Sequence, residues 1–269
     1  MEFLLIFIIG LFIGSFLNVL VDRLPQEESI VKGRSHCEKC KKELAWYDMI
    51  PLFSFVFLGG KCRYCHVRLS PYYPIIELTT GLLFVVAIFF VLNNFQFFPL
   101  HQGFAGQAIF SFQFLVTPFY YLFIASSLIV VFFADIKYGI IPDKIILPAI
   151  IISFLYLMFN MKHLILPHLF CALVTALFFF FLSLIKIRGH QAMGIGDVKF
   201  AFLMGLILGF PSIIVGLYVA FLTGAIVGCI LIIWKRKKMF GATIPFGPFL
   251  VLGTFSAIFW GEIILQSII

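Results

Sequence analysis

The sequence predicts an all-α polytopic membrane protein of about eight transmembrane helices, with a small cytosolic four-cysteine zinc-knuckle domain between the first and second spans. Three observations carry that prediction. The 269 residues are 62% hydrophobic and only 12% charged, whereas soluble domains carry about 25% charged residues. Apolar runs recur along the chain, which has a mean hydropathy of +1.13; about 20 such residues cross ~30 Å of hydrocarbon. The one long polar interruption holds two Cys-x-x-Cys pairs.

The first span runs from Phe3 to Val21. It has neither a basic leader region nor a small-residue cleavage site, so it reads as a retained helix rather than a signal peptide. Residues 22–72 form a polar loop with nine Lys/Arg. The second span extends from Pro74 to about Leu92, and the Asn93–Gln107 loop that follows carries no Lys or Arg. The third span ends at Ala134, and the short Asp135–Lys144 loop leads into a fourth that ends near Asn160. The fifth covers about Leu164 to Ile185. The sixth and shortest covers about Phe200 to Leu208, with a start a few residues earlier left open, and turns at Gly209-Phe210-Pro211. The seventh reaches Trp234 before the Lys235-Arg236-Lys237-Lys238 run, and the eighth covers about Phe246 to Ile268. Three parts follow: a first helix (1–21), a cysteine domain (22–72) and a membrane core (73–269).

Charge sets the orientation. Alternate loops hold nine, two, three and four basic residues, and the opposite loops hold only Lys162. Cytosolic loops are the Lys/Arg-rich ones, so both termini lie outside the cytosol. The formal charge of +7 is therefore a topology signal, and no nucleic-acid partner is expected. The same topology brings two acids to the cytosolic face. Asp135 closes the third span in Phe132-Phe133-Ala134-Asp135. Asp197 opens the sixth in Gly194-Ile195-Gly196-Asp197-Val198-Lys199.

Ionisable side chains in membrane segments are costly and mark function. Two carboxyls in one site share a proton, because both cannot ionise cheaply. Such a pair suits peptide hydrolysis, one member taking a proton from water and the other donating to the scissile carbonyl. Gly194 and Gly196 would let a substrate backbone approach. Lys199 reads as a cytosolic anchor or as a charge that tunes the acid, and Asp143 as a cap or turn residue of the fourth span. Asp197 has an alternative use as a helix N-cap. Asp135, at a helix C-terminus, opposes the macrodipole, so something must offset that cost. A proton relay in a transporter is the rival use of such acids. It would call for an internal repeat and a midplane acid; the sequence has no convincing repeat, and neither acid is central.

Cys37, Cys40, Cys62 and Cys65 form two knuckles with 21 residues between them, a spacing that points to a tetrahedral structural zinc site. A loop of about 51 residues is too small for its own core and needs such a staple. His36 and His66 adjoin the tetrad as alternative ligands. Cys171 and Cys229 lie in spans and read as small buried hydrophobes.

Taken in order, these motifs resemble the bacterial type IV prepilin leader peptidases. The resemblance runs through Gly14-Ser15-Phe16-Leu17-Asn18-Val19, Arg23-Leu24-Pro25, the cysteine knuckles and Trp46-Tyr47-Asp48-Met49-Ile50-Pro51-Leu52. It continues through Tyr73-Pro74-Ile75-Ile76-Glu77, Asp135 to Pro142-Asp143, and the Gly-x-Gly-Asp-x-Lys motif. It implies an aspartic peptidase with Asp135 and Asp197 as the catalytic pair and Gly194, Gly196, Lys199 and Asp143 in the surrounding loops. It implies prepilin and pseudopilin substrates cut after a Gly behind a short basic leader, in the bacterial cytoplasmic membrane with the site facing the cytosol. It also implies N-methylation of the new terminus with S-adenosylmethionine as donor, although no nucleotide-binding loop stands in the sequence. A Gly-x-Gly-Asp membrane protease without the methyl-transfer step is the alternative. Val21-Asp22 departs from the uncharged pair of many relatives, and Asp22 is expected to pair with a nearby base.

Overall fold

The computed structural model describes residues 1–30, 33–37, 39–96, 104–187, 190–191, 193–234 and 245–268. The Lys235–Lys238 run, Arg188 and the middle of the Asn93–Gln107 loop lie outside them. Two compact units divide the chain, Met1–Val130 and Val131–Ile269.

In the first unit, α1 (Glu2–Arg23) packs along α3 (Tyr72–Gln96). Bilayer lipid offers no hydrophobic drive to helix pairing, so close backbone contact must supply it. Gly10 and Gly14, four residues apart, provide that contact. A Cβ on Gly10 would lie 2.7 Å from Gly81 Cα, and one on Gly14 would lie 2.7 Å from Glu77 Cα. The Asn18 amide donates to the Tyr73 carbonyl at 3.2 Å, and the Tyr73 hydroxyl donates to Asp22 at 3.2 Å. Between these helices lie a 3-10 turn (Trp46–Met49), the five-residue α2 (Phe53–Phe57) and the cysteine knuckles. Helix α4 (Phe104–Tyr138) begins in this unit and ends in the next.

The second unit is built around α7 (Ile195–Leu208). Helix α6 (Ile165–Leu184) runs alongside it, and α5 (Asp143–Asn160) and α9 (Gly247–Ile268) pack against it; α8 (Ser212–Trp234) pairs with α9. Eight of the fourteen residues of α7 are buried, including Asp197, Phe200, Met204 and Leu206. Gly205 meets the Ala172 backbone. Buried hydroxyls are satisfied inside their own helices: Thr175 donates to the Cys171 carbonyl at 2.7 Å and Thr254 to the Leu250 carbonyl at 2.8 Å. Water-free surroundings impose that internal pairing.

The helical membrane class holds, and the observed helices follow the predicted spans, except that the sixth begins at Ile195 rather than near Phe200. Among the described residues, six helices are long and apolar enough to cross a membrane. Helix α7 is shorter: its 14 residues rise about 21 Å at 1.5 Å each. Its centre-of-unit position explains how so short a helix is tolerated, since its neighbours rather than lipid cover most of it. In α9 the described apolar stretch covers Gly247–Gly261. A two-residue antiparallel pairing, β1 (Lys186–Ile187) with β2 (His190–Gln191), precedes the Gly194 motif. Cys171 is buried as expected, but Cys229 is exposed. The sequence reading of Cys229 as buried is corrected, because its side of α8 faces outward, away from the packed helices.

Candidate functional site

The last turn of α4 presents Asp135, and the helix stops at Gly139. That glycine adopts φ +65°, and its N–H closes onto the Asp135 carbonyl at 2.8 Å, a left-handed glycine stop. The Asp135 side chain is 5% exposed. Its Oδ2 accepts the Gly247 N–H at 2.9 Å, and Gly247 is the first residue of α9. An anion unfavourably placed at the end of α4 is thereby moved to the positive end of another helix.

Helix α7 presents Asp197, which is 8% exposed. The cap of α7 is Gly194, in an extended conformation, so Asp197 is not the N-cap that one sequence reading allowed. It lies one turn inside, where its Oδ2 reaches back to accept the Gly194 N–H at 3.2 Å. A carboxylate in the first helical turn is favoured by the helix dipole. Both carboxyls thus rest at helix N-termini.

They line one cavity of about 280 Å³, together with Gly194, Gly196, Asp143 and Lys199. Asp143 is the first residue of α5, behind Pro142 as cap, so it stands just inside the helix and is not itself the cap that the sequence reading allowed. Lys199 Nζ donates to both Asp143 oxygens, at 2.7 and 2.8 Å. This half-exposed ion pair ties the start of α5 to α7, so Lys199 does more than anchor the chain. A Cβ on Gly196 would come within 3.1 Å of Ile141 Cβ, so that glycine serves close packing of α7 against the segment before α5 as well as an open approach. All six predicted residues of the acid cluster therefore meet at one cavity. Sequence reasoning missed Gly247. Its signal was Pro245-Phe246-Gly247-Pro248, a break between two apolar runs with proline near a helix start.

The four predicted cysteines also converge. Their sulfurs all lie within 4.8 Å of one another, and Cys37 Sγ is 3.8 Å from Cys65 Sγ. Ligand bonds of about 2.3 Å to a tetrahedral zinc ion place the sulfurs about 3.8 Å apart, so the tetrad has the dimensions to hold a metal ion. The two knuckles share one backbone design. The Cys37 N–H bonds the Lys42 carbonyl as the Cys62 N–H bonds the Val67 carbonyl, and Lys41 and His66, each four residues after its first cysteine, adopt φ +57° and +55°. The Cys65 N–H is the main cause drawing the Cys62 thiol down to about 7. The Val67 N–H draws on Cys65, but burial and the other three sulfurs prevail and push its thiol up to about 11. Crowded sulfurs that resist joint ionisation are the electrostatic setting a cation relieves. His36 and His66 are not part of the cluster among the described residues.

Residues 8–91 match the family described as the Bacterial Peptidase A24 N-terminal domain, and residues 122–229 match the Type IV leader peptidase family. A relative from Bacillus subtilis named prepilin leader peptidase/N-methyltransferase is 30% identical, over 97% of this chain and 96% of the relative. A Pseudomonas aeruginosa relative of the same name is 29% identical over 97% of this chain and 91% of its own. One from Aeromonas salmonicida, again of that name, is 28% identical over 98% and 92%. No solved structure matches the chain.

Proposed function

Because the chain belongs to the type IV leader peptidase family, we propose that it removes the leader of prepilins and pseudopilins, with Asp135 and Asp197 as the catalytic acids, and N-methylates the terminus it creates. The observation that carries this reading is the convergence of the two carboxyls, 62 residues apart in sequence, on one cavity at two helix N-termini. At neutral pH such a pair holds a single proton. The ionised member accepts a proton from water as the water oxygen attacks the scissile carbonyl carbon. The protonated member donates to the carbonyl oxygen, and the tetrahedral species collapses as the C–N bond breaks and the departing nitrogen takes up a proton. The Gly247 and Gly194 N–H groups keep each carboxyl aimed while leaving the cavity open.

In this reading the cut falls after a glycine. The substrate's apolar helix lies in the bilayer and its basic leader in the cytosol, where the positive-inside pattern places the acids. The chain sits in the bacterial cytoplasmic membrane as a first helix (1–21), a cysteine domain (22–72) and a membrane peptidase core (73–269). The tetrad holds a structural zinc ion, which would fold the knuckles. S-adenosylmethionine supplies the methyl group for the second step. The names of the full-length relatives support methyl transfer, and no residue is assigned to holding the donor.

The test is co-expression with a prepilin. Asp135→Asn and Asp197→Asn keep side-chain size but cannot share the proton, and each is expected to lower cleavage by about 10²–10⁴-fold with normal membrane insertion. Mobility of the pilin on a gel reports cleavage, and mass spectrometry of its N-terminus reports the added methyl. Full cleavage by either variant refutes the assignment.

A further inference from the structure

The segment between the knuckles, Trp46 to Phe57, has no part in the chemistry above. A cysteine-bound metal explains how so small a loop folds. It does not explain why several of the loop's large apolar side chains point outward. Trp46 is 75% exposed, Phe53 60%, Val56 74% and Phe57 83%. Contiguous exposed apolar surface marks a partner.

The position of α2 identifies that partner. The Leu52 N–H, just before α2, donates to Glu77 Oε2 at 2.8 Å. Glu77 lies inside the spanning part of α3, about 7.5 Å along the axis from its start at Tyr72, and is 8% exposed. Pro51, Leu52 and Phe53 form a tight three-residue turn in which the Phe53 N–H reaches the Pro51 carbonyl at 2.6 Å. Leu52 takes φ +59°, a conformation that a bulky residue keeps only where its surroundings impose it. The clamp holds the start of α2 at the depth of the second turn of a membrane helix. At that level the outward faces of α1 and α3 carry Phe16, Ile75 and Leu78, also exposed, so the apolar surface of α2 continues the lipid-facing surface of the spans. Trp and Tyr beside Phe are the side chains that settle at membrane interfaces. The loop carries nine Lys/Arg against six Asp/Glu, the balance that an anionic cytosolic leaflet attracts.

We propose that Trp46, Phe53, Val56 and Phe57 form a membrane-interface anchor, inserted among the lipid headgroups and upper acyl chains of the leaflet where α1 ends and α3 begins, and that Glu77 is the positioning residue that sets its depth. The cysteine domain is thereby laid on the bilayer surface. Only the spanning character of α1 and α3 is needed, so the proposal does not depend on the peptidase assignment.

The test uses the full chain with Trp46 as its sole tryptophan (Trp234→Phe, Trp260→Phe), reconstituted in phosphatidylcholine/phosphatidylglycerol vesicles. Lipids brominated near the glycerol end are expected to quench Trp46 emission more strongly than bromines at the chain end or aqueous iodide, as for an interfacial indole. Adding Phe53→Ser and Phe57→Ser, or Glu77→Ala, should reverse the preference from bromolipid to iodide while the four knuckle thiols stay protected from alkylation. Where a variant exposes those thiols, the single-tryptophan protein alone decides. Free quenching by iodide with no effect of bromolipid overturns the proposal. So does protection of Trp46 that appears only on adding a prepilin, which would make the face a protein-docking surface.

Discussion

Replacing Gly247 by alanine tests whether placement of the Asp135 carboxyl, and not merely its presence, matters. A Cβ at this position would lie 2.6 Å from Asp135 Oδ2 and 3.1 Å from its Cγ. An ordinary contact needs about 3.4 Å or more, in line with van der Waals spacing of 3.5–4.0 Å, so the oxygen must retreat by roughly 0.8 Å. The retreating group is the end of a side chain, so the fold can absorb the change, and alanine is a better helix former than glycine by about 1 kcal/mol. What cannot survive is the 2.9 Å hydrogen bond from Gly247 N–H to that oxygen. A hydrogen bond to a charged group contributes about 1.5–3 kcal/mol, which converts to roughly 10- to 150-fold in rate at 1.36 kcal/mol per factor of ten. A displacement near 1 Å at a catalytic group costs about 10²-fold by itself. Both routes converge on a loss of about 10²-fold in prepilin cleavage, with unchanged protein level in the membrane. Gly228→Ala is the control, since a Cβ there meets nothing within 4 Å, and it should leave cleavage as it was. Gly247→Ala cleaving within threefold of wild type would refute the reasoning: the α9 N-terminus would then have no part in aiming Asp135.

Lys199→Met should slow cleavage only a few-fold, because its ion pair with Asp143 is half exposed, with side chains 39% and 54% accessible, and such pairs contribute about 0–1 kcal/mol; Asp143→Asn should match it and the double variant should add nothing, as measured by initial cleavage rates. Cys62→Ser should bring bound zinc in the purified chain from about one ion to none, a four-ligand structural site having no spare donor, and should open the 22–72 loop to limited proteolysis. Gly205→Ala forces a methyl into the Ala172 backbone, and overpacking of that kind costs about 1–3 kcal/mol or more; the yield of folded protein in mild detergent should fall while Gly228→Ala extracts normally.

Much of this architecture could be read from residue order because the bilayer simplifies the physics. A spanning helix must be long and apolar, so the spans emerge from composition alone. The cysteine tetrad was legible for a similar reason: metal geometry imposes a spacing that few other uses share. Contacts between distant stretches left no such mark. Nothing near Glu77 announces that it grips the Leu52 N–H, because a backbone donor is invisible in residue identity. Lys199 read as an anchor or tuning charge, since its partner Asp143 lies 56 positions away. The short α7 was hard to bound because a helix sheltered by its neighbours need not display a full lipid-length apolar run.

The acid at the end of α4 joins these points. Reading the sequence alone, Asp135 is misplaced: a carboxylate at a helix C-terminus meets the negative end of the dipole, and its cost had to be offset by something unseen. The offset is the N–H of Gly247, 112 residues further on, at the start of a helix whose first residue has no side chain to block the approach. Asp197 needs no such rescue, since it sits in the first turn of its own helix. The two acids therefore reach one cavity by different means. One is supported locally and is visible in its Gly-x-Gly-Asp motif; the other is supported at long range by a glycine between two prolines. It follows that a local change around Asp197 should be tolerated or not according to its own helix start, whereas Asp135 depends on how α9 is seated. A substitution deep in the α8–α9 contact, at Gly253 against Gly216, should disturb Asp135 without touching the Asp197 turn.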